Sequence, residues 1–457
     1  MPAIFVHVSD IHFGQEKDDV VHIHSDVKEQ LIADAASVVV GLPGSKATGI
    51  LVTGDIAQAG KTEQYQLAGT WLDRLANAIG CDIVDVQMVP GNHDLDRDRT
   101  SQSLEHLLPK LREGGPAEYE KVLANDTDRA ALFSRFADYI NFSEGYNCPL
   151  NTLGKFSEKI VQLAPGRKIR FVRMNSALVC TDTDRHDKPE LFIGARQFSN
   201  IPRVDGEENV LLIHHPLSWF KDAEVATTYI RSRTRVFIAG HEHNPKVTVE
   251  RVEEGSDLMM LAAGATVPFR SNAVYTYTYN ILVFDWDEEQ DALSVNILPR
   301  AWNPTHTRFE ADNVRLGGAN PHYVLQSPNF RKCPKPVRPV SPEERPSTDG
   351  LIAEEAEQNA SGNANLSIDP SAHVDMPQSE PDGYRQALLR FFRDLSEGER
   401  LRILIDLDAV PEDFDEPITH NIERELLDYL VNEGRLSEVS RKIDALVSAR
   451  QIGEVDE

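Results

Sequence analysis

The sequence predicts an α/β fold followed by a small all-α bundle, on three observations. Five short apolar runs each end in a loop that opens with Asp, His or Asn. Segments with helical apolar spacing alternate with the first of these runs. The last roughly seventy residues show only short helical patterns, the size of a small bundle. The runs are Ile4–Val8 before Asp10-Ile11-His12, Ile50–Val52 before Gly54-Asp55, and Val86–Val89 before Gly91-Asn92-His93-Asp94. Val210–Ile213 precedes His214-His215, and Val236–Ala239 precedes Gly240-His241-Glu242-His243. Open α/β sheets place their ligands at the carboxyl ends of the strands.

Taken in order, Asp26–Val40 and Glu63–Ala78 have helical spacing between the first strand runs. Residues 95–165 break the alternation, with helical stretches at Leu104–Leu111, Ala117–Leu123 and Arg129–Ile140. This helical insertion follows the Gly91–Asp94 loop directly and is a candidate lid or substrate-selecting cap. Residues 168–175 form a strand candidate whose period Arg173 breaks. Several strands are expected between Asp257 and Trp302, with period two at Tyr275–Tyr279 and a polar hairpin turn at Asp287–Asp291. A first domain is therefore placed at 1–310 and a flexible, proline-punctuated linker at 311–382. From 383 to 457 a helical domain follows. Leu388, Leu389, Phe391 and Phe392 mark its first helix, and Ser396 with Glu399 forms a capping box for the second. Pro411 and Pro417 frame a loop, Ile422–Leu430 and Gly434 mark and close a third helix, and Val439, Ile443 and Leu446 mark a fourth.

A chain of 457 residues suggests two domains plus a linker. Cys81, Cys148, Cys180 and Cys333 form no CxxC pair, which argues against a disulfide scaffold or zinc ribbon and fits a reducing cytosol. No signal peptide and no membrane-spanning run are seen, so a cytoplasmic location without membrane contact is expected. The net charge is −26, and residues 351–457 carry 10 Lys and Arg against 25 Asp and Glu. A broad basic surface for nucleic acid is not expected. Local basic clusters do occur at Lys155, Lys159, Arg167, Lys168, Arg170 and Arg173, and at Arg231, Arg233 and Arg235.

Two divalent cations need about eight to twelve ligand atoms. Asp10, His12, Asp55, Asn92, His214, His241 and His243 supply seven side chains, leaving room for water or substrate. Carboxylate and imidazole without thiolate suit a catalytic centre better than structural zinc. Asp55, alone on its loop, is the candidate bridge. His93 adjoins Asn92 and is better placed as an acid, with Asp94 either orienting its imidazole or only capping a turn. His215 is a candidate substrate contact, and Ser176 either a pocket residue or a strand-end cap.

The D-x-H of Asp10–His12, the G-D of Gly54-Asp55, the G-N-H-D of Gly91–Asp94, the His of His214-His215-Pro216 and the G-H-x-H of Gly240–His243 resemble the calcineurin-like metallophosphoesterase superfamily over roughly residues 1–305. The resemblance implies a four-layer α/β/β/α sandwich and a dinuclear centre. It assigns Asp10, His12, Asp55 and His243 to one cation, and Asp55, Asn92, His214 and His241 to the other. His214 is chosen over His215 by its position two before Pro216. His93 matches the histidine that protonates the leaving group or steadies the transition state. Manganese is the expected metal, with iron, zinc or nickel as alternatives.

The stretch Ile422–Leu430 followed by Gly434–Val439 resembles the effector-associated, death-like helical adaptors of bacterial conflict systems. This implies binding to a partner protein through a matching domain. The expected function is hydrolysis of phosphodiester bonds, in nucleic acid or a nucleotide, by an effector of a bacterial defence or signalling system. The alternatives are a phosphomonoesterase and a nucleotide-sensing protein that relays through its bundle.

Overall fold

The structure is a computed structural model that describes residues 1–15, 21–184, 187–251, 256–268, 276–318, 320–334, 383–410, 418 and 420–453. The chain opens with β1 (Ala3–Val8), α1 (Val21–Val40), β2 (Gly49–Val52), α2 (Thr62–Ile79) and β3 (Val86–Met88). Three helices follow: α3 (Gln102–Ala124), kinked at Gly115, then α4 (Asp126–Phe133) and α5 (Ala137–Gly145). Alternation resumes with β4 (Ser157–Ala164), β5 (Arg167–Arg173), α6 (Ala195–Phe198), β6 (Glu207–Ile213), α7 (Ala223–Arg233) and β7 (Thr234–Ala239). Six strands complete the α/β part: β8 (Lys246–Glu250), β9 (Leu258–Ala262), β10 (Thr278–Asp287), β11 (Ala292–Asn303), β12 (Arg308–Ala311) and β13 (His322–Leu325). The C-terminal helices are α8 (Tyr384–Asp394), α9 (Glu397–Asp406), α10 (His420–Asn432) and α11 (Leu436–Gly453).

The strands form two sheets. One has the order β12-β11-β10-β1-β2-β3, with β13 also paired to β11; the other has the order β4-β5-β6-β7-β9-β8. The β1-β2-β3 and β5-β6-β7-β9 sets are parallel, so their carboxyl ends point one way within each sheet. The sheets stack face to face. Phe5 and Phe284 of one meet Phe171 of the other edge-on, at centroid distances of 5.0 and 6.0 Å. Val210, Leu212, Val236 and Ile238 join them in one apolar layer. The opposite faces are covered too. Ile4 and Val6 share a cluster with Leu31, Leu72 and Leu75 of α1 and α2, and Leu211 and Ile213 with Ala226 and Ile230 of α7. This is the four-layer arrangement. Burial on both faces explains why β1, β2, β6 and β7 read as unbroken apolar runs rather than alternating ones.

The same burial explains the broken period of β5. Arg173 is inside, its guanidinium 2.7 Å from Cys148 Sγ and 3.0 Å from the Glu158 carbonyl. Arg167 pairs with Asp291 at 2.8 Å, Arg170 with Glu207, and Arg235 with Glu208 at 3.3 Å. Arg167, Arg170 and Arg235 of the basic clusters are therefore in internal ion pairs, while Lys155 and Arg231 stay at the surface. The polar turn at Asp287–Asp291 does join β10 to β11. Strand β10 starts only at Thr278, so Thr276 and Tyr277 precede it, and Tyr275 lies outside the described residues.

Two expected boundaries shift. The first sheet does not end at residue 310: β13 pairs with β11, and Phe330 is buried in the intersheet layer. Short strands after a Gly-rich turn carry too few residues to show a period. Residues 335–382 of the expected linker lie outside the described residues. The helical insertion ends near Gly145, and Ser157–Ala164, expected to be part of it, is the edge strand β4.

Helices α8 to α11 enclose their own apolar core of Leu388, Phe391, Phe392, Ile403, Leu404, Leu427, Leu430, Val439 and Ile443. Ser396 and Glu399 form the capping box of α9, the Ser396 amide donating to Glu399 Oε2 at 2.8 Å. Gly434 closes α10 in the left-handed region at φ 77°. Pro411 and Pro417 lie outside the described residues. Among the described residues no helix is long and apolar enough to cross a membrane.

Phe5 is the ring shared by both sheets, so Phe5→Ala should destabilise the α/β part by about 3–5 kcal/mol. Urea unfolding followed by tryptophan fluorescence measures this. A loss below about 1 kcal/mol would mean that the stacked rings are not the centre of the core.

Candidate metal centre

The loops after β1, β2 and β7 bring their polar side chains together through unusual backbone. Asp10, His12, Asp55, His241 and His243 all have positive φ, between 52° and 73°. Such a conformation costs a non-glycine residue about 1–2 kcal/mol, and persists where surrounding structure imposes it. Here the imposition is visible. The Asp10 amide donates to the Gly54 carbonyl and the Ile11 and His12 amides to the Asp55 carbonyl, all within 3.0 Å. Two glycines permit the close approach. A Cβ at Gly91 would overlap the Asp55 carboxylate, and one at Gly54 the His214 ring.

The structure brings all seven expected ligands into one cluster. His243 Nε2 lies 3.1 Å from Asp10 Oδ1. His214 Nε2 lies 3.3 Å from Asp55 Oδ2, 3.1 Å from Asn92 Oδ1 and 3.2 Å from His241 Nδ1. His12 Nε2 is 4.0 Å from the same Asp55 oxygen, on its other flank. Asp10, His12 and His243 make one group that could hold a cation, and Asp10, Asp55 and His214 make another. Asp55 also groups with His12 and His93, so it stands between the two halves of the cluster.

The donor set fits cations. It is carboxylate and imidazole with one amide oxygen. His214 Nδ1 is 2.7 Å from the Thr53 carbonyl and must donate there, which turns the Nε2 lone pair toward the cluster. Two imidazole nitrogens then face each other, His214 Nε2 and His241 Nδ1, with room for one proton between them. The buried Nδ1 of His12 has no hydrogen-bond partner. Burial lowers His12 to about 4 and His241 to about 3, so both rings are neutral near pH 7. Burial acts on His214 too, but the Asp55 carboxylate outweighs it and raises that ring to about 9. In return, burial pushes Asp55 upward while the His214 charge holds it well below its ordinary range. Asp10 is held low in the same way, against burial, by His243 and then His214.

A cavity of about 290 Å³ opens over the cluster, lined by His12, Gln15, Asp55, Gln58, His93, His241 and His243. His93 faces it. Its Nδ1 is 2.9 Å from the Gln58 carbonyl and its amide donates to Asp55 Oδ1 at 2.8 Å. Gln15 and Gln58 were not singled out from the sequence, because glutamine in a loop carries no pattern. No residue of the helical insertion lines this cavity.

Two expected roles need correction. Asp94 does not orient the His93 imidazole. Its carboxylate accepts from the amides of Gly91 at 2.9 Å, Ile56 at 3.2 Å and Ala57 at 2.9 Å, and from the Tyr65 hydroxyl at 3.0 Å. It ties the Asp55 and Asn92 loops together, and the Gln58 carbonyl orients His93 instead. Burial, then Asp55, pushes Asp94 up to about 6. His215, expected to touch substrate, points away from the cavity. It is buried behind His214 and His241, its Nδ1 2.9 Å from Ser176 Oγ and its ring 5.7 Å from that of Trp219. A ring nitrogen of His215 still lies within 4.8 Å of ligand atoms of His214 and His241, so these three form a further group that could hold a cation. Ser176 is thus a partner of His215.

Residues 4–245 match the family model for the calcineurin-like phosphoesterase, and residues 383–445 that for the GTPase-associated adaptor domain. A curated relative is the uncharacterised metallophosphoesterase-like protein YydB of Bacillus subtilis (strain 168). It is 21% identical over 278 residues, or 58% of this chain and 54% of that protein. The chain therefore spans about half the length of the curated relative it matches. Among solved structures, purple acid phosphatase PPD1 of yellow lupin (Lupinus luteus) is similar at 9% identity and a TM-score of 0.40, over 75% of this chain and 57% of that one. A putative 5'-nucleotidase from Staphylococcus aureus is similar at 13% identity and a TM-score of 0.34, over 63% and 52%. At these scores neither likeness bears on activity.

Cation loading should expel a proton. With its folded value near 9, His214 is charged at pH 7.5, and a cation requires the neutral ring. Calorimetric titration of Mn²⁺ in buffers of different ionisation enthalpy should show release of about one proton, fading as pH rises through about 9. Tight binding at pH 7.5 with no proton released would show that the His214 ring is already neutral in the metal-free protein.

Proposed function

Because the chain belongs to the calcineurin-like phosphoesterase family, we propose that it is a dinuclear-metal hydrolase of phosphodiester bonds, acting on a small nucleotide rather than on nucleic acid. The observation that carries the reading is the cluster itself: Asp55 between His12 and His214, with His93 facing the cavity above it. Asp10, His12, Asp55 and His243 would hold one cation, and Asp55, Asn92, His214 and His241 the other. Bound there, two cations would lower the pKa of water between them and offset the charge on the phosphoryl oxygens.

The chain's own residues supply the rest. The Gln58 carbonyl fixes His93 Nδ1–H, which leaves Nε2 to hold a proton for the leaving oxygen. The His93 amide and the Asp94 carboxylate hold the Asp55 and Asn92 loops in register. The preference for a small substrate is supported by the acidic composition and by the internal pairing of Arg167, Arg170 and Arg235, which takes these three charges away from a polymer backbone. The preference for diesters is supported by the G-N-H-D form of the third loop.

The metal is proposed to be manganese, by the hardness of two carboxylates and an amide oxygen among imidazoles. The match of residues 383–445 supports an adaptor role, in which the bundle engages a protein partner linked to a GTPase. The chain would then be the phosphoesterase arm of a cytoplasmic signalling or defence assembly, in keeping with four free cysteines.

Turnover of bis-p-nitrophenyl phosphate with Mn²⁺ tests the site. His93→Ala should lower kcat by about 10²- to 10⁴-fold, and Asp55→Ala should abolish turnover together with metal binding. Equal activity in all three proteins would remove the site. A strong preference for p-nitrophenyl phosphate would replace the diesterase by a monoesterase, and cleavage of single-stranded DNA or RNA in preference to cyclic nucleotides would replace the small substrate by a polymer.

A further inference from the structure

The C-terminal bundle is seated on the α/β part, and the seat leads to the metal centre. Leu389 of α8 is buried in the same apolar cluster as the side chains of α2 and α5. Its carbonyl lies against Gly145, where a Cβ would press on it. Beside it, Arg393 of α8 lies across Gly69 of α2 and pairs with Asp73. Arg424 pairs with Glu144 at 2.6 Å, and Arg385 with Asp82 at 3.2 Å, along the same border. Arginines of the acidic bundle thus meet acids of α2, α5 and the turn before β3.

From this border a line of contacts runs inward. The Tyr146 hydroxyl lies 2.8 Å from the Asp73 carboxylate that Arg393 pairs with. The Tyr146 ring meets Phe142 edge-on at 5.2 Å, and Phe142 stacks on Tyr65 at 4.9 Å. The Tyr65 hydroxyl donates to Asp94 at 3.0 Å, and Asp94 holds the amides of Ile56, Ala57 and Gly91. Those amides flank Asp55 and Asn92. None of the residues from Arg393 to Tyr65 lines the cavity.

We infer that docking of the C-terminal bundle on α2 and α5 positions the Asp94 carboxylate, and with it the Asp55 and Asn92–His93 loops, so that Arg393 and Tyr65 are positioning residues for the metal centre. The inference rests on the phosphoesterase reading above for its kinetic consequence, not for its structural one. A protein that captures the α8 face must displace it from Asp73, and so changes turnover without touching the cavity.

The test is a double-mutant cycle in the full chain with Arg393→Gln and Tyr65→Phe, and with Arg393→Lys as the charge-retaining control. The kinetic readout is turnover of bis-p-nitrophenyl phosphate. The structural readout is hydrogen exchange of peptides 53–60 and 88–97 in the metal-free protein. Each single substitution should lower kcat by about tenfold with KM within about twofold, the double should fall no further than the worse single, and Arg393→Lys should recover most of the loss. Exchange in both peptides should rise in Arg393→Gln and in Tyr65→Phe. Additive losses, or exchange changes confined to α2 and α8, would overturn the inference. Should Arg393→Gln unfold the bundle, unchanged exchange in 53–60 and 88–97 would overturn it equally. A wild-type protein that cleaves neither ester would defeat the proposed function, while the exchange measurement still decides this inference.

Discussion

Asp55 is a fully buried carboxylate that the fold keeps ionised, and the rest of the site is arranged around that constraint. An isolated buried carboxylate is expelled or protonated. Here the His93 amide donates to one oxygen and the His214 ring approaches the other, with His12 on the far flank. These partners come from three loops on two different sheets, so the pairing holds only while the sheets stay stacked. The Phe5–Phe171–Phe284 contact and the buried carboxylate are in this sense one structure: the aromatic layer fixes the distance that the electrostatics need. Cations bound among the same donors would supply the positive charge that the metal-free protein draws from its histidines.

Much of this architecture was legible because a doubly buried parallel strand cannot hide. It reads as an unbroken apolar run, and the polar residue that ends it is conspicuous. The five loop blocks around Asp10, Asp55, Asn92, His214 and His241 stand out for that reason. Asp94 was only half legible. A carboxylate beside a histidine can serve the imidazole or the backbone, and the choice depends on Tyr65, on another helix. His215 was misread as a substrate contact because a side chain's direction at a strand end depends on register, which adjacent residues in a sequence do not reveal. Strand β13 and the basic residues of β5 failed for a third reason. The first is too short for a period, and the second are buried ion pairs, whose partners Asp291 and Glu207 lie far away in sequence.

The relation between the two parts of the chain was not legible at all. Composition placed a separate acidic bundle at the C-terminus, and the bundle does have its own core. Yet Leu389 belongs to the core of the α/β part, and Arg393, Arg424 and Arg385 spend their charges on α2, α5 and the turn beyond. Net charge describes a domain's long-range field; it says little about the few side chains at a border, where opposite signs meet at short range. The helical insertion takes its meaning from the same border. Its last helix offers the seat for the bundle.

The left-handed backbone at Asp10, His12, Asp55, His241 and His243 has a consequence for how such a centre decays. A site that needs five strained residues is a standing burden on the fold, tolerated for what the side chains hold. Replacing one of them by glycine removes a donor and releases strain at the same stroke, so part of the stability lost with the donor's contacts is returned. Thermal robustness in this protein is therefore a poor guide to an intact centre.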